Sequence, residues 1–163
     1  MKSKLLLLAF TCLFAFTSCS DDDSVPNNTL AGDNGFEFEK TAYITDLVFI
    51  DEDNNIVLSN RNLTTEGDEE GHFVIFSTKN GNLNELTYTV GQKLEKCNAI
   101  VSGRMENGVV QGADVLGQEN TEKGFMRIVN FNNFDQEIDI IFEFTRTDGK
   151  LVSGSYIGNF QRL

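Results

Sequence analysis

Strict alternation of apolar and polar residues is the feature that most restricts what this chain can fold into. It is clearest in residues 138–145, and the segment Phe36–Phe38 alternates in the same way. A period of two residues predicts a β-strand with one buried face, and no window of helical length shows a 3.6-residue apolar stripe. In residues 138–145 the positions that would share one face are Ile138, Ile140, Phe142 and Phe144.

Turn signals separate these segments at intervals near ten residues, which is typical of an all-β sandwich or barrel. Polar turns or loops are expected at 51–55, 59–71, 79–82, 106–108, 117–124 and 148–149. Between them we expect about nine short strands, one of them at 41–50, where β-branched and aromatic residues are frequent. The predicted fold is an antiparallel β-sandwich or a lipocalin-like barrel, and the sequence does not choose between these two. Fourteen Phe and no Trp suit such a core, because phenylalanine rings bury large apolar areas without a donor that needs a partner.

The charge of the chain argues against one class of partner. The formal net charge is −12 at pH 7. A strongly acidic surface repels nucleic acid and anionic lipid headgroups, so we expect no nucleic-acid partner. Solubility at a crowded surface is the simplest explanation of the charge.

The N-terminus has the pattern of a secretory leader. Lys2 and Lys4 precede the nearly pure apolar run Leu5–Phe16, and the small residues Thr17 and Ser18 follow it. A membrane helix needs roughly 20 apolar residues, so this run is too short to remain as one. We expect residues 1–18 to be removed as a signal peptide.

The residues around Cys19 resemble a bacterial lipobox followed by the acidic export signal of Bacteroidota surface-exposed lipoproteins. The acidic signal corresponds to Ser20, Asp21, Asp22 and Asp23; Phe16 stands where a lipobox usually has Leu. The resemblance implies lipidation of Cys19, an anchor in the outer membrane and a domain that faces the cell exterior. Two or three acyl chains hold a soluble domain stably, since each buried methylene contributes about 0.8 kcal/mol. An ordinary signal peptide cleaved elsewhere is the alternative.

Three segments follow from these patterns: a lipoprotein signal peptide at 1–18, a lipidated acidic tether at 19–35 and a single all-β domain at 36–163. The tether is rich in Asp, Ser, Asn and Gly and contains the only proline of the chain. Such a composition cannot bury enough surface to fold. Asp23-Ser24-Val25 also resembles a short O-glycosylation motif of Bacteroidota secreted proteins, which would place a glycan on Ser24.

The last third of the chain resembles the closing hairpin of small, largely uncharacterised all-β lipoproteins of the same group. The similar elements are the strand at 138–144, the Asp148-Gly149 turn and the segment from Gly154 to Phe160. Phe36–Tyr43 is similar to their opening hairpin. The resemblance implies a fold and a location but no reaction. Gly154 and Gly158 would lie on one face of the last strand, where glycine indicates a bulge, a bend or a closely packed aromatic ring.

Few residues are candidates for catalysis. His72 is the only histidine, and a nucleophilic triad would have to use it. No Gly-x-Ser-x-Gly motif is present. Cys97 lies in an apolar run and is expected to be a small buried residue without a disulfide partner, since Cys12 leaves with the signal peptide and Cys19 is lipidated. Zinc is not expected, because His72 and Cys97 are too few soft ligands.

A calcium site is a weak alternative. Asp51, Asp53 and Asn55 match the first three ligand positions of a calcium loop, but Ile56 stands where that loop needs glycine and Asn62 where it needs Glu. A polar hairpin turn is the preferred interpretation. A different weak site could use this turn or the acidic residues Glu66, Asp68, Glu69 and Glu70. No cofactor is otherwise predicted.

We therefore expect a protein without enzymatic activity that acts by binding or as a structural domain, anchored to the membrane through Cys19. The partner would be a surface protein or an extracellular ligand. One alternative is an accessory glycan-binding lipoprotein of a nutrient-uptake system, although its usual aromatic platforms could come only from Tyr43, Tyr88 and Tyr156. Another is a small hydrolase using carboxylates and His72.

Overall fold

A computed structural model describes residues 34–64, 67–79, 81–106, 109–112, 121–146 and 148–163. The prediction of an all-β fold is confirmed: the described residues form strands and turns, and none of them is helical. Accordingly, this part of the chain holds no helix that could span a membrane. The strands form one curled, mixed sheet in the shape of a half-barrel.

Eleven strands make up the described part of the sheet. In chain order they are β1 (Gly35–Phe38), β2 (Thr41–Ile44), β3 (Leu47–Ile50), β4 (Ile56–Ser59), β5 (Gly67–Thr78), β6 (Thr87–Thr89), β7 (Leu94–Glu106), β8 (Val109–Gly112), β9 (Thr121–Asn132), β10 (Glu137–Arg146) and β11 (Leu151–Arg162).

The main path of the sheet runs β6-β9-β10-β11-β3-β4-β5-β7-β8. Every pair along it is antiparallel except β11 with β3, which is parallel over Phe160–Arg162. Strand β1 pairs with the preceding part of the same edge of β11, from Val152 to Ser155, and β2 pairs with β1. The β1–β2 hairpin therefore pairs with the first half of β11, and β3 pairs with the last residues of β11.

The concave, inner face of the sheet carries the main hydrophobic core, to which nearly every strand contributes. The alternation predicted for β10 is confirmed, because Ile138, Ile140, Phe142 and Phe144 are all buried. A hydrogen bond from the Thr121 hydroxyl to the Cys97 carbonyl joins β9 to β7, which lie far apart along the sheet. The curl of the sheet thus brings its distant strands together around the core.

A second, smaller core lies on the outer face of β3, β5 and β7, under the segment that contains Leu63. It is built over a row of glycines, Gly71, Gly103 and Gly112, which are paired across three adjacent strands. Side chains of Phe73 and Ile100 lie within 3.3 Å of where Cβ atoms would stand on these glycines. Glycine thus lets a ring and a branched side chain pack flat on the sheet.

The predicted hairpins are confirmed. Strands β1 and β2 pair around Glu39 and Lys40, whose φ angles of 49° and 66° are those of a tight turn between twisted strands. Strands β7 and β8 pair, and so do β10 and β11. A Cβ on Gly154 would lie 2.6 Å from the Phe142 ring and 2.2 Å from a β1 carbonyl, which confirms a closely packed aromatic ring at that glycine.

Three strand boundaries were predicted wrongly. The strand expected at 41–50 is broken at Thr45 and Asp46, because the chain there leaves β1 and moves across to pair with β11. The acidic loop expected at 59–71 is shorter, since β5 already begins at Gly67. The loop expected at 117–124 is likewise shorter, because Thr121 already pairs with Arg146 in β9.

Candidate functional site

A groove lies on the outer face of β6, β9 and β10. Its volume is about 470 Å³. The side chains that point into it come from alternate positions of the three strands. The lining residues are Thr87, Thr89, Lys123, Gly124, Phe125, Glu143, Phe144 and Thr145.

Strand register brings these side chains together. Phe125 lies between Thr89 on one neighbouring strand and Glu143 on the other, and Lys123 is opposite Thr145. Residues directly opposite in antiparallel strands have side chains close enough to act together. Phe125 and Glu143 alternate with inward, buried residues of their own strands, Met126 and Phe142.

Tyr88 anchors the short edge strand β6 that forms one wall of the groove. Its ring is buried, and its hydroxyl accepts a hydrogen bond from the Asn84 backbone at 2.8 Å and donates to the Asn84 carbonyl. Burial raises the pKa of the Tyr88 hydroxyl, and the hydrogen bond with Asn84 opposes that rise. Thr87 and Thr89 are consequently fixed on the outward side.

The groove offers one half-buried aromatic ring, three hydroxyls, one cation and one carboxylate. These groups can form hydrogen bonds with a polar ligand while Phe125 contacts an apolar face of it. The tyrosines are not platforms for such a ligand: Tyr88 and Tyr156 are buried, and Tyr43 is stacked on Phe36 at 5.1 Å between ring centroids. The sequence signal for this site was Phe125 standing out of phase with the buried Met126 and Ile128.

His72 lies on the inner face of β5, half-buried, and away from the groove. Its Nδ1 atom makes a short hydrogen bond with the Val101 carbonyl, and its ring meets the Tyr43 ring edge to face at 4.9 Å. The nearby carboxylate of Glu70 accepts a hydrogen bond from Ser102 at 2.6 Å. The contacts described for His72 are thus those of a packed histidine.

Cys97 is buried, as predicted, and is not part of a disulfide. Burial raises the pKa of its thiol to about 12. The group is therefore a neutral thiol at physiological pH and lacks the thiolate that a nucleophile or metal ligand requires.

Asp51, Asp53 and Asn55 lie in the turn between β3 and β4, which confirms the preferred prediction of a polar turn. Both carboxylate oxygens of Asp51 accept hydrogen bonds of 2.8 Å from Asn55, one from its backbone and one from its side-chain amide. Asn55 in turn accepts from the Thr78 backbone. Across the described residues no group of three His, Cys, Asp or Glu side chains could hold a metal ion. The calcium site stays a prediction without geometric support from this turn.

Several predicted site residues lie outside the described part of the chain. They are Cys19, Ser20, Asp21, Asp22, Asp23 and Ser24, together with Glu66 of the acidic loop. The side chains of Asp68 and Glu69 are likewise not described. Lipidation, export and glycosylation therefore stay predictions from sequence.

Comparison with known proteins found no match among family models, curated proteins or solved structures. Function must therefore be inferred from the sequence of the chain and from the geometry described above.

Proposed function

We propose that this protein is a lipid-anchored binding domain on the outer face of an outer membrane and that it acts without catalysis. The location rests on the sequence around Cys19, with its apolar leader before and three aspartates after. The described domain begins at Asn34, 15 residues beyond Cys19. At most about 3.5 Å per residue, this length keeps the domain within roughly 50 Å of the anchor.

The groove on β6, β9 and β10 is the single observation that carries a binding function. It lies on the face opposite to the main core, so a ligand could enter it without disturbing the fold. Its side chains are held by paired strands, and fixed groups lose little entropy when they bind a ligand. We assign the binding of an extracellular ligand or a surface partner to this groove.

A glycan is the ligand class that the composition of the groove favours. A sugar presents an apolar ring face together with hydroxyls that both donate and accept hydrogen bonds. Phe125 supplies an aromatic face, and Thr87, Thr89, Lys123 and Glu143 supply the donors and acceptors around it. This supports the accessory glycan-binding role in nutrient uptake as the more specific form of the proposal.

The anchor is tested first, in a bacterium that lipidates its own surface proteins. Cys19→Ala should abolish labelling by a palmitate analogue, while replacement of Asp21, Asp22 and Asp23 by Ala should keep the label. The second variant should also lose accessibility to protease added to intact cells. Persistent labelling of Cys19→Ala would contradict the proposed anchor.

The groove is tested separately by binding of soluble glycan fragments, measured by calorimetry. Phe125→Ala should reduce affinity at least tenfold because it removes the only aromatic side chain that points into the groove among the described residues. Val129→Ala is the matched control, since Val129 is 49% exposed on the same strand but does not line the groove. Equal affinities of the two variants would remove the groove as the binding site.

A further inference from the structure

The outer face of β9 carries a cation on each side of the aromatic ring in the groove. Lys123, Phe125 and Arg127 stand at alternate positions of the strand, on the side opposite to the buried Met126. Alternate residues of a strand are about 7 Å apart along its axis. Lys123 lines the groove, and Arg127 borders it because Arg127 lies opposite the lining residue Thr87.

The fold leaves these two cations without partners. Other cations are engaged: Arg162 donates to two asparagine side chains, and Lys150 forms an ion pair. Lys123 and Arg127 make no hydrogen bond, ion pair or ring contact with the residues that the structure describes, and the same is true of Lys40 in the β1–β2 turn. All three are exposed. Lys123 and Arg127 can therefore meet a ligand without first giving up an internal contact.

The residues opposite the two cations on the neighbouring strands carry no charge. Lys123 lies opposite Thr145 of β10. Arg127 lies between Thr87 of β6 and Ile141 of β10. Directly opposite side chains are the ones close enough to neutralise a charge within a sheet. The positive charges beside the groove are therefore not cancelled across the strands.

One carboxylate lies between the cations. Glu143 of β10 is opposite Phe125, which places it diagonally to both Lys123 and Arg127. It also has no hydrogen bond or ion pair with the described residues. Two cations and one carboxylate give this surface a formal charge of +1, whereas the whole chain carries −12. An anionic ligand is thus attracted here and repelled by the chain as a whole.

Charge grouped around an aromatic ring restricts the class of anion. Phe125 offers a flat apolar face, which suits the ring of a sugar. Carboxylates on successive sugars can pair with Lys123 and Arg127, and the planar guanidinium of Arg127 matches a carboxylate. A sugar hydroxyl can donate to Glu143, because an ionised carboxylate only accepts hydrogen bonds. A peptide of Asp and Glu residues lacks both the ring and the hydroxyls.

We propose that the groove selects acidic glycans, whose sugars carry carboxylates, and that Lys123 and Arg127 determine this selectivity. The inference rests on the proposed function, because it concerns the same groove. It adds the charge of the ligand and the residues that recognise that charge. The protein thus distinguishes an acidic glycan from a neutral one of the same shape.

The test uses the purified full chain and a short oligomer of galacturonic acid, with calorimetry at about 0.15 M salt, where charges more than about 8 Å apart are screened. The fully methyl-esterified oligomer is the neutral ligand, since it keeps the rings and hydroxyls. It should bind about tenfold more weakly because two ion pairs are lost. Raising the salt to about 1 M should weaken binding of the acid but not of the ester. Oligoglutamate with the same number of charges should bind more weakly than the sugar acid.

Three variants, each of which removes one exposed positive charge, locate the effect. Lys123→Gln and Arg127→Gln should each weaken binding of the acid about threefold, as expected for one exposed ion pair, and together about tenfold. Neither should change binding of the ester. Lys40→Gln is the matched control, since Lys40 is exposed and is separated from the groove by β1 and β11. It should leave both affinities unchanged.

Three results would overturn the inference. They are equal binding of acid and ester, a loss in Lys40→Gln as large as that in Arg127→Gln, and tighter binding of oligoglutamate, which would indicate an acidic peptide instead. Phe125→Ala separates this failure from failure of the proposed function. If the ester binds and Phe125→Ala weakens it about tenfold, the groove is a glycan site without selectivity for charge. If neither acid nor ester binds, both proposals fail.

Discussion

Two arginines lie on phenylalanine rings in this fold, and they differ in how their guanidinium groups are satisfied. Arg162, near the end of β11, lies 5.5 Å from the Phe160 ring centre and donates to the side chains of Asn54 and Asn133, each at 3.1 Å. Arg146, at the end of β10, lies 4.5 Å from the Phe38 ring centre and has only Asp148 as a described side-chain partner. Arg162 is exposed, whereas Arg146 is buried.

The difference shows what each arginine does in the fold. Arg162 connects the β3–β4 turn to the β9–β10 turn, so its hydrogen bonds join parts of the chain that are remote in sequence. The ion pair described for the Arg146 side chain stays within its own hairpin, although the burial of Arg146 is far more costly. The first arrangement is that of a structural link, and the second is that of a buried cation with unpaired donors among the described residues. The predictions below either separate these roles or remove the distinction.

The largest effect is expected for the ring beneath Arg162. Phe160 is 1% exposed and is stacked on Phe131 with 5.5 Å between ring centres. Phe160→Ala should lower the free energy of unfolding by about 3–5 kcal/mol, because a large cavity replaces a core ring. Chemical denaturation measures this change. Phe134→Ala is the control and should change stability by less than about 0.5 kcal/mol, since Phe134 is 93% exposed. A loss below about 1 kcal/mol for Phe160→Ala would show that this end is not structural.

The sequence predicted the strands better than their arrangement. Alternation in residues 138–145 and the local hairpins were correct because neighbouring strands interact through short turns. The parallel pairing of β11 with β3 joins residues more than 100 positions apart, and no local pattern specifies it. The break at Thr45 and Asp46 follows from that pairing. The early start of β5 depends on Gly71 facing Gly103, which is likewise a long-range contact.

The sequence also indicated that Arg146 is buried, although Arg146 lies just beyond the alternating residues 138–145. Arg146 occupies the next inward position after Phe144, so alternation alone places a cation in the core. The sequence could not show that its donors lack acceptors, because that depends on the position of β1 and Phe38. For the groove the sequence offered only Phe125, out of phase with the buried Met126; the groove itself depends on the pairing of β9 with both β6 and β10, which no local pattern specifies.

The next largest effect is a loss of stability at alkaline pH, caused by ionisation of the Cys97 thiol. The Cys97 carbonyl accepts from Thr121, which pairs with Arg146. Burial raises the Cys97 pKa from 9.0 to about 12, so the folded state retains a proton that the unfolded state releases. This contribution to stability is complete below pH 9 and is lost as pH rises toward 12. The loss should be about 1.4 kcal/mol at pH 10 relative to pH 8.

Urea denaturation at pH 8 and pH 10 measures this loss, with Cys97→Ala as the control that lacks the titrating group. The variant should lose less stability between the two pH values. Burial also raises the pKa values of Tyr88 and Tyr156, so measurements above pH 10 would include both. A pH dependence that is identical in the variant would assign the alkaline loss to groups other than Cys97.

The comparison of the two arginines predicts stability changes of opposite sign. Arg146→Met should raise the free energy of unfolding by about 1 kcal/mol, because an apolar side chain replaces a buried cation with unpaired donors. Arg162→Met should lower it by about 1 kcal/mol through the loss of two exposed hydrogen bonds. Denaturation of both variants in chloride buffer gives the two values. Destabilisation by both would mean that Arg146 is a structural link as well.

The smallest effect is expected for Lys150, the second cation next to the Phe38 ring. The ion pair of Lys150 with Glu39 has side chains that are 43% and 56% exposed, and exposed pairs contribute little to stability. Lys150→Met should therefore change the free energy of unfolding by less than about 0.5 kcal/mol. Chemical denaturation measures this change. A loss above about 1 kcal/mol in Lys150→Met would show that the exposed cation next to Phe38 is a structural link, as Arg162 is.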